Sequence, residues 1–240
     1  MSDSTIVIPR WGQGRPGLGQ GGYTSSRFQA AIGQPVAISL RAPIPLESEM
    51  QIVEVEGGWQ LQHNDALVME ATPSTIEFVD TESVTISSAT DARSRFPVTA
   101  EEHNASSCLS CGFTERTMRV WPGLLADGTG RVATDWTPPE WAGDDAGIVH
   151  EHLVWMALDC TCGFYVGHHP ERRNALTVRY AVEMLQPIEV GRTYVIVGHD
   201  GSWPGGWEGR KRGAASCVFD DAGNVVAHAD SFWVSIPDAG

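Results

Sequence analysis

The chain has 240 residues, of which 42% are hydrophobic and 19% charged, a balance that suits a globular protein of one large domain or two small ones rather than a disordered chain. A formal charge of −14 argues against a phosphate-backbone partner, because nucleic-acid binding needs clustered Lys and Arg across a face. Five cysteines, an odd number, in a chain whose first residues (MSDSTIVIPRW) lack the apolar run of a signal peptide, point to reduced thiols and a cytoplasmic location, with no membrane segment.

The turn-rich segment GQGRPGLG leads into a predicted helix from Gln20 to about Ile32. From Ala37 to Ala71 the texture is β: VAISLRAPIPL and MQIVEVEGGWQLQHNDALVMEA are apolar or alternating runs punctuated by Pro43, Pro45, Gly57, Gly58, Asn64 and Asp65. The Ser/Thr-rich stretch from Pro73 to Asn104 reads as a connection carrying a strand or two. A second helix is predicted over about Val149 to Leu158, with Val149, Leu153, Met156 and Ala157 at helical spacing behind the turn Gly143 to Gly147. ALTVRYAVEMLQPI, TYVIVGHDGSW and RGAASCVFDDAGNVVAHADSFWVSI then form a second antiparallel set, with a hairpin turn at Asp220 to Asn224.

The two halves resemble each other. Pro43 to Gly57 (PIPLESEMQIVEVEG) aligns with Pro187 to Gly201 (PIEVGRTYVIVGHDG) at a constant offset of 144, matching the Pro-Ile pair, Leu46 with Val190, and the terminal Gly. Each segment follows a helix, so duplication is the better reading. Repeats of 1–104 and 105–240 are the result.

From Ser107 the chain reads SCLSCGFTERTMRVWPG, then VATDWTPPEW, then GIVHEHLVWMALDC. This resembles the hotdog-fold thioesterases of the phenylacetyl-CoA type, which open with a Cys-x-x-Cys-Gly strand, continue into a second strand, and carry G-x-V-H-G-G-x7-D at the start of a buried central helix. Gly147, His150 and Asp159 fall on the first Gly, the His and the acid of that pattern. In GLGQGGYTSSRFQA, Gln20 stands at the His position, Gly21 and Gly22 at the glycine pair and Gln29 at the acid.

The whole also resembles the two-repeat acyl-CoA thioesterases. The resemblance implies an α+β double hotdog with two long central helices, each wrapped by an antiparallel sheet. It implies an acyl-CoA substrate, coenzyme A only as part of that substrate, no cofactor and a possible homo-oligomer of double hotdogs. In related dimers the amide and the acid of one site come from opposite subunits, which here pairs the Gly21 and Gly22 amides with Asp159. The other pairing, Gln29 with Glu151 and His152, has lost glycines and acid alike and reads as degenerate.

The chemistry suits those residue types. Free N–H groups at a helix N-terminus polarise a thioester oxygen, and glycine lets the acyl group come close. A carboxylate can then activate water or attack directly. His150 reads either as a helix-entry residue or as a hydrogen-bond donor or acid near the thioester. The loss of the glycines beside His150 also admits a non-catalytic acyl-CoA or lipid binder. Hydratase chemistry would need an Asp and His about five apart at a helix start; Asp145 and His150 have that spacing but lie in a loop.

SWPGGWEGRKRG, Ser202 to Gly213, joins two predicted strands, and its Arg210, Lys211 and Arg212 would suit the nucleotide end of coenzyme A. Cys108-x2-Cys111 and Cys160-x-Cys162, with His103 and His168-His169 nearby, invite a zinc reading, but a CxC pair at a helix end is poor spacing. Structural cysteines and no metal are expected. Trp136, Trp155 and Trp233 lie in apolar segments and are expected in the core or an interface.

Overall fold

A computed structural model describes residues 5–77, 79–168, 174–202 and 208–236. The chain begins with β1 (Thr5–Val7), then α1 (Gly21–Ile32), whose N-cap Gln20 accepts the Tyr23 amide and whose end is set by Gly33 in the left-handed region. Four strands follow: β2 (Val36–Leu40), β3 (Glu49–Val55), β4 (Gly58–His63) and β5 (Ala66–Pro73). A further helix, α2 (Ile86–Arg93), precedes β6 (Gly123–Leu124) and β7 (Val132–Trp136). The second half continues with α3 (Glu151–Gly167) and β8 (Ala175–Met184), then β9 (Tyr194–His199), β10 (Lys211–Phe219) and β11 (Val225–Ser235).

The eleven strands among the described residues join one antiparallel sheet in the order β1-β3-β4-β5-β2-β8-β11-β10-β9-β7-β6. Its connectivity repeats. In each half the strand after the central helix (β2 or β8) sits at the middle of the sheet, the last strand of the half (β5 or β11) lies next to it, and the strand before the helix (β1 or β7) lies outermost or nearly so. The halves meet where β2 pairs with β8, Ile38 opposite Tyr180 and Ser39 opposite Arg179.

α1 packs on α3, and both lie against the sheet. One core cluster draws on both halves, from Ile8, Phe28, Ile38 and Leu61 to Trp155, Leu158, Tyr180 and Ile196. α3 is apolar almost all round, the pattern of a helix covered on every side. Trp136, Trp155 and Trp233 are buried as expected.

Three expectations change. Among its described residues the stretch from Pro73 to Asn104 forms no strand beyond the end of β5; it forms α2, because Thr85 caps the Ser88 amide and Ala89 and Ala92 fit a small apolar cluster over β7, β9 and β10. Cys108 to Gly112 is a compact turn rather than a strand, closed by Gly112 N–H donating to the Cys108 carbonyl at 2.8 Å. The second helix continues to Gly167, about two turns past Leu158, since Thr161, Cys162, Tyr165 and Val166 are all buried against the sheet.

Candidate active site

Asp159 lies in the middle of α3 with 5% of its surface exposed. Its two carboxylate oxygens are held by three donors. Oδ2 accepts from the Gln20 side-chain amide at 2.5 Å and from the Gly22 backbone N–H at 3.3 Å, and Oδ1 accepts from the Thr177 hydroxyl at 2.9 Å. Burial pushes this carboxyl up to about 6, against the pull of those same three donors.

Each donor is positioned by a different element. Gln20 does two things at once: its Oε1 caps α1 through the Tyr23 N–H at 2.6 Å, and its Nε2 reaches Asp159. Fixing one end of the amide orients the other. Gly22 lies where α1 crosses α3 at close range; a Cβ there would come 2.6 Å from the Trp155 carbonyl and 2.9 Å from the Asp159 Cβ. Only glycine lets the α1 N-terminus approach the carboxylate this closely. Gly21 stands beside it, and a Cβ on Gly21 would lie 3.6 Å from Oδ2.

Thr177 is aimed by a fault in the sheet. Between β8 and β11 the register runs Arg179 opposite Phe232 and then Thr177 opposite Trp233, leaving Val178 as an extra residue. Tyr180 faces the helix, donating its hydroxyl to the Trp155 carbonyl at 2.8 Å. Strict alternation would turn Thr177 to the opposite face; the bulge returns it to the helix side, where it meets Asp159. Neither Thr177 nor the bulge has a signal in the sequence, where Thr177 reads as an ordinary strand residue.

Asp159, Gly21, Gly22 and Gln20 are thus brought together from opposite halves of the chain. His150 is not with them. It is the exposed N-cap of α3, about 13 Å along the helix from Asp159, with its ring stacked on His152 at 5.3 Å between centroids. Burial holds His152 down to about 4, reinforced by His150 and Arg27; its ring also meets Tyr23 and Trp11 edge-on or tilted.

Gln29 accepts the Val36 N–H at 3.1 Å and so ties the end of α1 to β2, while Glu151 accepts from the Trp155 indole at 3.1 Å. Gln29, Glu151 and His152 are thus each engaged in contacts of their own.

The basic cluster is split. Arg210 donates to the Ser235 carbonyl at 3.0 Å, Lys211 is exposed, and Arg212 lies over the Tyr165 ring at 4.4 Å while bonding the Tyr165 hydroxyl and Asp200. Residues 203–207 of the same segment, including Trp203 and Trp207, lie outside the described residues. A recess of about 360 Å3 lined by Ala37, Thr75, Arg179, Ala181 and Asp230 opens on the other face of the sheet, away from Asp159. The CxC pair is not at a helix end: Cys160 lies within α3 on the side of Cys108 and Cys111, and Cys162 turns to the Ser216 hydroxyl at 3.3 Å.

No family model matches the sequence, and no curated protein matches it. Solved structures do match its fold. A provisionally assigned thioesterase from Novosphingobium aromaticivorans superposes with a TM-score of 0.57 at 12% identity, covering 97% of this chain and 95% of the other. The tesB protein of Mycobacterium avium subspecies paratuberculosis gives 0.61 at 13% identity, covering 97% and 92%. Each match covers 97% of this chain, so the chain shares the hotdog fold of these structures.

Proposed function

On that fold, we propose that the chain is a double hotdog, with repeats over 1–104 and 105–240, that hydrolyses an acyl-CoA thioester to free acid and coenzyme A. The observation that carries the reading is the meeting of the Asp159 carboxylate with the Gly22 N–H at the start of α1. A helix N-terminus carries partial positive charge on its unpaired amides, and a carboxylate beside it can take a proton from water.

In this reading the thioester oxygen takes the place of Asp159 Oδ2 at the Gly22 amide. Water attacks the carbonyl carbon and passes a proton to Asp159, and the C–O bond forms as the carbonyl electrons move to an oxyanion facing Gly22. Collapse of that oxyanion breaks the C–S bond, and the proton returns from Asp159 to the departing coenzyme A sulfur. Gln20 and Thr177 orient the carboxylate. Arg210, Lys211 and Arg212 are the proposed contacts for the nucleotide phosphates. His150 and Gln29 stay outside this scheme, consistent with one working site per chain. No helix among the described residues is long and apolar enough to cross a membrane. Action in the cytoplasm, and assembly of double hotdogs into a homo-oligomer, belong to the same proposal.

Asp159→Asn should abolish thiol release from a panel of acyl-CoA substrates while leaving the circular dichroism spectrum unchanged; full residual turnover would sink the proposal. A second reading is a non-catalytic acyl-CoA or lipid binder. It is favoured by the fact that the Gly22 amide already donates to Asp159 itself. Saturable acyl-CoA binding with no thiol release by the wild-type protein would establish it instead.

A further inference from the structure

Residues 94–122 run without helix or strand, an unusual length of irregular chain inside a compact fold. At its centre the chain folds on itself. Cys108 N–H donates to the Ala105 carbonyl, Gly112 N–H to Cys108 and Phe113 N–H to Ser106, each at 2.8 to 2.9 Å. Gly112 is required there, because a Cβ would lie 2.4 Å from the Cys108 carbonyl and 2.5 Å from that of Ser106. The turn carries Cys108 and Cys111 to the face of α3 that bears Cys160.

The three sulfurs all lie within 4.8 Å of one another, with Cys111 and Cys160 at 3.3 Å and Cys108 and Cys160 at 3.9 Å. A tetrahedral zinc ion with Zn–S bonds of about 2.3 Å spaces its sulfurs about 3.8 Å apart. Three neutral thiols would gain only weak S–H contacts from such convergence. Cys162 and Cys217 stand apart, on Ser216 and His199.

We propose that Cys108, Cys111 and Cys160 form a thiolate site for a single zinc ion, which pins the irregular segment to the turn of α3 next to Asp159. Binding exchanges three thiol protons, released to solvent, for three Zn–S bonds, and water fills the fourth position. The sequence hides the site because its third ligand sits about fifty residues away and is paired in sequence with Cys162, which faces elsewhere. Nothing in it depends on thioester hydrolysis.

The test uses the full chain, reduced and stripped with a chelator, then titrated with Zn2+ and, as a spectroscopic probe, Co2+. One ion should bind per chain, with a thiolate-to-cobalt charge-transfer band in the near ultraviolet. Cys160→Ser and Cys111→Ser should each weaken binding at least tenfold and diminish the band, whereas Cys162→Ser should change neither. Since a buried cysteine variant can fail to fold, X-ray absorption on the zinc-loaded wild-type protein gives an independent count, expected to be three sulfurs at about 2.3 Å. Absence of stoichiometric binding by the wild type, a count below three, or equal affinity in Cys160→Ser and Cys162→Ser would overturn the site.

Discussion

Asp159 is a buried carboxylate held by the Gln20 amide, the Gly22 N–H and the Thr177 hydroxyl. Three hydrogen bonds offset its removal from water, so substitutions around it divide by which bond they delete. Asp159→Asn keeps the volume and removes the proton acceptor; thiol release should fall by at least about 100-fold, the usual worth of a positioned acid or base. Thr177→Val removes only the hydroxyl that orients Oδ1. We expect about a fivefold drop in kcat, corresponding to about 1 kcal/mol, with KM little changed. A loss as large as that of Asp159→Asn would place Thr177 in the chemistry itself. Of these residues, Asp159 and the glycines were legible in the sequence because their spacing matches a known pattern. Thr177 was not, because one inserted residue in β8 decides which way it points, and bulges leave no periodic trace in a short strand.

Between elements, the decisive contact is α1 on α3. Small buried residues on α1, Gly22, Thr24, Ser25 and Ser26, let it lie against the larger side chains of α3. Gly22→Ala would push its new methyl into the Trp155 carbonyl and force the helices apart. The expected cost is about 1–3 kcal/mol of stability, read as a fall in Tm of several degrees together with reduced thiol release. An unchanged Tm would mean that the helices do not approach as described. Both helix starts were readable from capping and turn residues. The end of α3 was not, since Cys160 to Gly167 carries no strong helix signal and is held by burial against β8 to β11. α2 escaped for a related reason: Ser and Thr favour caps and turns as much as strands, and packing over β7 settled the choice.

At the scale of the molecule, the two halves share one sheet through β2 and β8 and one core cluster through α1 and α3. Thermal unfolding should therefore show a single cooperative transition, and two resolved transitions in calorimetry would contradict the shared core. Stability should also depend on pH through the buried histidines. His152, lowered to about 4, binds fewer protons folded than unfolded, so its contribution is present above about pH 6.5 and lost as pH falls toward 4. Burial lowers His103, His168, His199 and His228 in the same direction. His152 is half-buried, and screening limits its own share to about 1 kcal/mol. His152→Gln should flatten the acid limb of a Tm-against-pH curve relative to wild type; an identical slope would remove His152 as a contributor.

The sequence by itself determined the two helices, the two strand sets, the weak repeat that relates them, and the identity of the acid and the glycines at the proposed site. The helices and strand sets are local properties, carried by periodicity and turn chemistry, whereas the acid and the glycines were legible through the resemblance to a family motif. Tertiary structure alone decided which groups meet. It put Gly22 of one half on Asp159 of the other, turned Thr177 inward through a bulge, left His150 about 13 Å away at the far end of its helix, and gathered Cys160 with Cys108 and Cys111 while sending Cys162 elsewhere. Such meetings depend on the crossing of α1 and α3 and on sheet register. Those are fixed by long-range packing, and no window of sequence contains both partners.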